Sequence, residues 1–208
     1  DPFSGKMSVG NNLKQYGIPF SITAHHTMEP NTKAFEEEVR TFAATCRVVR
    51  GLRDCRIGAL GARPAAFNTV RYSEKLLQES GITVETLDLS EVFAKAARIS
   101  DDDAQVKERI AKITGYTDTK GVPSAALVKM AKLASIIDEW MKRLDLDATA
   151  IQCWTSMEEW FGVVPCTVMS MMSNDLLSSA CETDVAGTVS MQALALAGGE
   201  RRERRHLR

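Results

Sequence analysis

A chain of 208 residues, 44% of them hydrophobic, is long enough to bury one large core or two small ones. Its 26 Lys and Arg against 27 Asp and Glu leave a formal net charge of -1, which excludes a global field that would gather nucleic acid or an anionic membrane surface. Small molecules and other proteins remain as partners. Five widely spaced cysteines without a CxxC pair, no N-terminal apolar leader and no apolar run near the ~20 residues that span a bilayer point instead to a reducing cytoplasm.

The first stretch, "DPFSGKMSVGNN", has no Met at its start and no periodicity, so residues 1–11 read as an engineered scar or a disordered edge. Ile18 to Thr23 is short and β-prone. Asn31 is placed to cap a helix running to Arg50, with Phe35, Val39, Phe42 and Cys46 at helical spacing. Cys55 to Leu60 reads as an apolar strand stopped by Gly61, and Asn68 opens a helix that ends at Gly81, with Val70, Tyr72 and Leu76 or Leu77 facing inward. Ile82 to Leu89 alternates like a strand, and Ser90 caps a helix from Glu91 to Arg98.

Asp101 to Asp103 begin a further helix reaching Ile113, and a polar loop leads to a long helix capped by Ser124 and ending at Leu144. Leu127, Met130, Ala131, Leu133, Ile137 and Met141 form its core face. Ala148 to Trp154 is a third strand, "EEWFG" a turn of helix, "CTVMSMM" a helix, "SSACET" a fourth strand and Val185 to Leu196 a closing helix. Strands and helices alternate. That order predicts an α/β fold, a Rossmann-like or flavodoxin-like parallel sheet with helices on both faces and ligands at the carboxyl ends of its strands. Residues 12–197 are taken as one α/β domain, with a minor boundary near Val185, and 198–208 as a charged tail holding Arg201, Arg202, Arg204, Arg205 and Arg208.

Three strand ends hold candidate chemistry. After the first strand, "GALGARP" supplies Gly58, Gly61 and Arg63. It is either a glycine-rich turn or an anion site, and it lacks the three-glycine spacing of a dinucleotide cradle. After the third, Gln152, Trp154, Glu158, Glu159 and Trp160 gather; the tryptophans either wall a sugar while amide and carboxylates bond its hydroxyls, or they are core and the glutamates a solvated turn. After the fourth, Glu182 and Asp184 are either oxygen ligands for Mg²⁺ or Mn²⁺, or Asp184 is the N-cap of the last helix. His25, His26 and His206 form no metal-binding spacing, and Cys153, Cys166 and Cys181 read as small buried hydrophobes.

The order of "RIGALGARPAAFNTVRYSEKLLQESGITVETLDLSEV", "LDLDATAIQCWTSMEEWFGVVPC" and "ACETDVAGTVSMQAL" resembles the L-fucose isomerase and L-arabinose isomerase family in its middle region, over Cys55 to Leu196. The resemblance implies an aldose–ketose isomerase that uses Mn²⁺ and an enediol route, in which a carboxylate moves a proton between neighbouring sugar carbons. It implies Asp184 as the second acidic metal ligand. The family's other glutamate falls at or near Cys166, with Glu158 and Glu159 a short way upstream, so Asp184, Glu158 and Cys166 are the expected catalytic residues. Asp184, Glu182 and Glu159 are the expected metal ligands, and Trp154, Gln152 and Arg63 the expected sugar contacts. The resemblance further implies a homo-oligomer and a fragment of a longer sugar isomerase, inactive alone. The alternative reading is a non-catalytic α/β domain that binds a sugar or nucleotide.

Overall fold

A computed structural model describes residues 2–199. The chain divides into two compact units, residues 1–47 and 48–208, where one domain over 12–197 was expected. In the first unit, helix α1 covers Pro2–Gln15 and helix α2 starts at Lys33 and continues to Leu52.

The segment expected to be a scar or disordered edge is therefore helical. Its signal is weak because α1 buries no residue; only Lys6, Gly10 and Leu13 on one face are partly covered. That face meets the returning chain. Lys6 Nζ donates to Thr23 Oγ1 at 3.1 Å and to the His25 carbonyl at 3.3 Å, and the Phe3 ring meets His26 edge-on at 5.5 Å. Ile18 to Thr23, expected as a strand, is not one, because no neighbouring strand supplies its hydrogen bonds; Ile18, Phe20 and Ile22 stay about half exposed or more. Thr32, not Asn31, caps α2 by accepting from the Phe35 amide, and Val39 and Phe42 on its apolar stripe remain exposed.

The second unit contains the parallel sheet. Strands β1 (Arg56–Leu60), β2 (Thr83–Leu87), β3 (Ala148–Ile151) and β4 (Ser179–Cys181) pair in the order β2-β1-β3-β4. Between β1 and β2 lie a short 3₁₀ turn, Asn68–Val70, and α3, Glu74–Glu79, in place of one helix from Asn68 to Gly81. Ser73 caps α3, so Tyr72 lies outside it and Leu76 is exposed. Helices α4 (Leu89–Arg98), α5 (Ala104–Tyr116) and α6 (Ser124–Leu144) follow β2, α7 (Cys166–Asn174) joins β3 to β4, and α8 (Val185–Gly198) follows β4. Asp88 and Asp103 cap α4 and α5 through their carboxylates; Ser90 donates its amide to Asp88 instead of capping.

Side chains alternate across each strand and divide the core between the two faces. On one face Leu60, Leu87 and Ile151 pack with Val92 of α4, with Leu133, Ile137 and Trp140 of α6, and with Val168 and Met172 of α7. Ile57, Ala59, Ala148 and Ala150 occupy the other face with Val185 of α8, joined by Leu52 and Leu77. Gly58 lets α6 come close: a methyl there would stand 2.6 Å from the Trp140 ring and 2.7 Å from Leu146. The predicted α6 core face holds, with Ala131, Leu133, Ile137 and Met141 buried. Among the described residues no helix is long and apolar enough to cross a membrane. The charged end of the tail, including His206, lies outside them; before it, Gly199 stops α8 in the left-handed region at φ 78°.

Candidate functional site at the carboxyl edge of the sheet

In a parallel sheet whose chain leaves one central strand to left and right, the loops at the carboxyl ends diverge and open a crevice. Here that place is between β1 and β3. The loops beside it are fastened to each other. Gly61 follows β1 at φ 83°, and a side chain at this position would collide with Gln152. Gln152 Oε1 accepts from the Ala62 amide at 2.7 Å, while its Nε2 donates to the Trp154 carbonyl. The β1 and β3 loops thus share one amide side chain.

Trp154 is 46% exposed and leans on Phe67, ring centroids 5.0 Å apart. It presents an apolar plate at the rim instead of filling the core, where Trp140 is the buried tryptophan. Trp160 is 81% exposed on the turn Met157–Phe161 and also lies outside the core. Arg63 does not face a helix N-terminus, because none follows directly. Its Nη1 donates to the carbonyls of Pro64, Ala65 and Phe67, which holds Phe67 under Trp154.

The β3 and β4 ends are linked through sulfur. Cys153 lies two residues past β3 and donates its thiol to Glu182 Oε1 at 3.0 Å; Cys181, the last residue of β4, reaches the same oxygen at 3.6 Å. Glu182 and Thr183 both take left-handed backbone angles, φ 60° and 55°, a conformation costing roughly 1–2 kcal/mol for a residue with a side chain. Glu182 Oε2 and Thr183 Oγ1 are buried without a hydrogen-bond partner. Burial pushes the Cys153 thiol far above its ordinary range, and the neighbouring Glu182 and Cys181 raise it further. Burial raises Cys181 as well.

Asp184 is the N-cap of α8: Oδ1 accepts from the Gly187 amide at 2.8 Å, while Oδ2 makes no hydrogen bond among the described residues. The acid is not wholly used by its helix. Glu158 and Glu159 are exposed on the turn after β3, and Cys166 is exposed at the start of α7.

The expected metal set of Asp184, Glu182 and Glu159 is not assembled. Among the described residues one trio of His, Cys, Asp or Glu donors converges, Cys153, Cys181 and Glu182, with ligand atoms all within 4.8 Å of one another. Two sulfurs do not fit Mn²⁺, which prefers oxygen. Sequence reasoning missed this trio because each cysteine follows apolar strand residues and reads as filling. The usable signal was one cysteine at the end of each of two adjacent strands.

Residues 1–53 match the family model for the N-terminal domain of fucose/sulfoquinovose isomerase. The chain is 26% identical over 200 residues to a sulfoquinovose isomerase of Priestia aryabhattai, covering 94% of this chain and 43% of that protein. It is 27% identical over 191 residues to one from Clostridium sp. (strain MSTE9), covering 90% and 42%, and 24% identical over 189 residues to one from Alkalicoccus urumqiensis, covering 90% and 42%. The chain spans less than half the length of these curated relatives. The likeness reaches the first helix, outside the stretch from Cys55 to Leu196 that carries the sequence resemblance. The domain match at its start and the relatives aligned along nearly all of its length make the chain similar to the fucose isomerase family.

Proposed function

We propose that this chain is the part of a sugar isomerase that supplies one wall of the substrate crevice, and that the longer protein interconverts an aldose and a ketose, sulfoquinovose being the first sugar to test. One observation carries the reading: the likeness to sulfoquinovose isomerases covers 94% of the chain, whose parallel sheet places a ligand crevice at the carboxyl ends of its strands.

The chain's own residues have separate tasks in this reading. Trp154, supported by Phe67, covers the C–H side of the sugar. Gln152 holds that plate against the β1 loop. Asp184 keeps one oxygen on its helix and leaves the other without a hydrogen bond among the described residues, and in this reading that carboxylate accepts from a sugar hydroxyl or holds a proton between neighbouring carbons. Manganese belongs to the reading as a cofactor of the longer protein; Asp184 is the oxygen donor this chain would offer, and the ion would supply polarisation of the sugar carbonyl.

The test is an aldose–ketose conversion assay on a protein of the relatives' full length carrying this chain, with Asp184→Asn as the variant. Asparagine still caps a helix, so the variant should melt with the parent while kcat/KM falls about a hundredfold or more, roughly 3 kcal/mol of transition-state stabilisation. Full turnover in the variant, or no turnover of sulfoquinovose or fucose by the parent, would overturn the reading.

A further inference from the structure

The rim holds a second grouping that sugar isomerisation does not require. Cys153, Cys181 and Glu182 come from two adjacent strands, with their ligand atoms within 4.8 Å of one another. We propose that these three residues form a binding site for a thiophilic divalent cation of the zinc class.

One sulfur–oxygen distance already matches a tetrahedral ion's ligands, and the other has to open by about half an ångström. A tetrahedral ion bonded to sulfur at about 2.3 Å and to oxygen at about 2.0–2.2 Å sets its sulfur and oxygen ligands roughly 3.6 Å apart. The two sulfur–oxygen separations found are 3.0 and 3.6 Å. The second carboxylate oxygen supplies an independent observation. Glu182 Oε2 is buried and has no hydrogen-bond partner, an unfavourable state for an acceptor that a bound cation relieves.

The backbone aims the carboxylate. Glu182 leaves β4 in a left-handed turn, so its oxygen returns to the sulfurs on either side of the β3–β4 seam instead of pointing onward. Cys153 is 4% exposed, while Cys181 and Glu182 are half-buried, so the group is closed from below and reachable from the rim.

The chemistry balances without any redox partner. As each metal–sulfur bond forms, the thiol releases its proton to water; two thiolates and one carboxylate then surround the dication with a net charge of about -1, and three protein ligands leave a fourth position for water. Affinity therefore rises with pH. The site differs from the expected manganese set in donor type, and its test does not depend on sugar turnover.

The experiment is a titration of the reduced, metal-free 208-residue chain with Co²⁺, followed by Zn²⁺. One equivalent of Co²⁺ should produce sulfur-to-cobalt charge transfer in the near ultraviolet and the visible bands of a tetrahedral ion, and Zn²⁺ should abolish both. Cys153→Ser and Cys181→Ser should each remove the charge transfer characteristic of two thiolates, whereas Cys166→Ser and Asp184→Asn should retain it. Glu182→Gln, which preserves shape, should weaken Co²⁺ binding by about tenfold or more.

Circular dichroism checks that each variant is folded. Should a cysteine variant fail to fold, alkylation of the parent decides the matter: Zn²⁺ should protect Cys153 and Cys181 and leave the exposed Cys46 and Cys166 reactive. No charge transfer in the parent, bands unchanged in the folded cysteine variants, or alkylation unaffected by Zn²⁺ would overturn the proposal.

Discussion

Asp184 serves a helix with one oxygen while the other makes no hydrogen bond among the described residues, so the cap and the proposed sugar contact separate by substitution. Asp184→Ala should cost about 1 kcal/mol in urea unfolding through loss of the cap, and Asp184→Asn only a few tenths. The two buried thiols give a pH signature. Cys153 and Cys181 stay protonated in the folded chain beyond the pH, about 8.5, at which unfolded thiols ionise. Above that pH the unfolded state binds fewer protons than the folded one. Their stabilisation is thus complete below about pH 8.5 and declines as pH rises toward the folded-state values. In metal-free buffer the urea midpoint should fall between about pH 8 and about pH 10, less steeply in Cys153→Ala/Cys181→Ala; equal slopes would show that these thiols do not titrate as described. The cap at Asp184 was legible from an acid just ahead of an apolar helix. The Cys153–Glu182 contact was not, because it depends on a left-handed turn at Glu182, a residue that rarely adopts one.

At the scale of elements, glycines set how closely the layers approach. Gly81→Ala should be the most damaging of three substitutions, because at φ 83° its methyl would lie 1.8 Å from the Arg53 carbonyl oxygen, a backbone atom without rotamers. Gly58→Ala presses on the Trp140 and Leu146 side chains, which can shift, so a cost of about 1–3 kcal/mol is expected. Gly61→Ala displaces Gln152 and should increase amide exchange around Ala62 and Trp154. Urea unfolding of the three variants checks the order, and a Gly81→Ala as stable as the parent would contradict it. The parallel strands were legible because strands covered on both faces read as apolar runs between helices, as "CRIGAL" and "ATAI" do. Ile18 to Thr23 misled for the converse reason: β-propensity records which residues suit a strand, not whether a partner strand exists. Caps shifted by one or two residues, from Asn31 to Thr32 and from Ser90 to Asp88, because Asn, Asp, Ser and Thr all cap and backbone angles choose among neighbours.

At the scale of the molecule, the buried residues of the core clusters begin, among the described residues, at Cys55 and lie in the second unit. A chain of residues 48–199 should therefore unfold cooperatively with a midpoint within a few degrees of the parent, since the change stays below about 1 kcal/mol. A non-cooperative melt would contradict that division. The division itself was hidden from sequence reading because α2 runs unbroken across the boundary, with no linker composition to mark it. The central claim, that the carboxyl edge of this sheet is a sugar-facing wall, is tested most directly by hydrogen–deuterium exchange on the relatives' full-length form with and without sulfoquinovose. Protection should appear in peptides containing residues 61–63, 152–154 and 182–184; protection confined to residues 18–41, or absent from the chain while the sugar is bound, would contradict it.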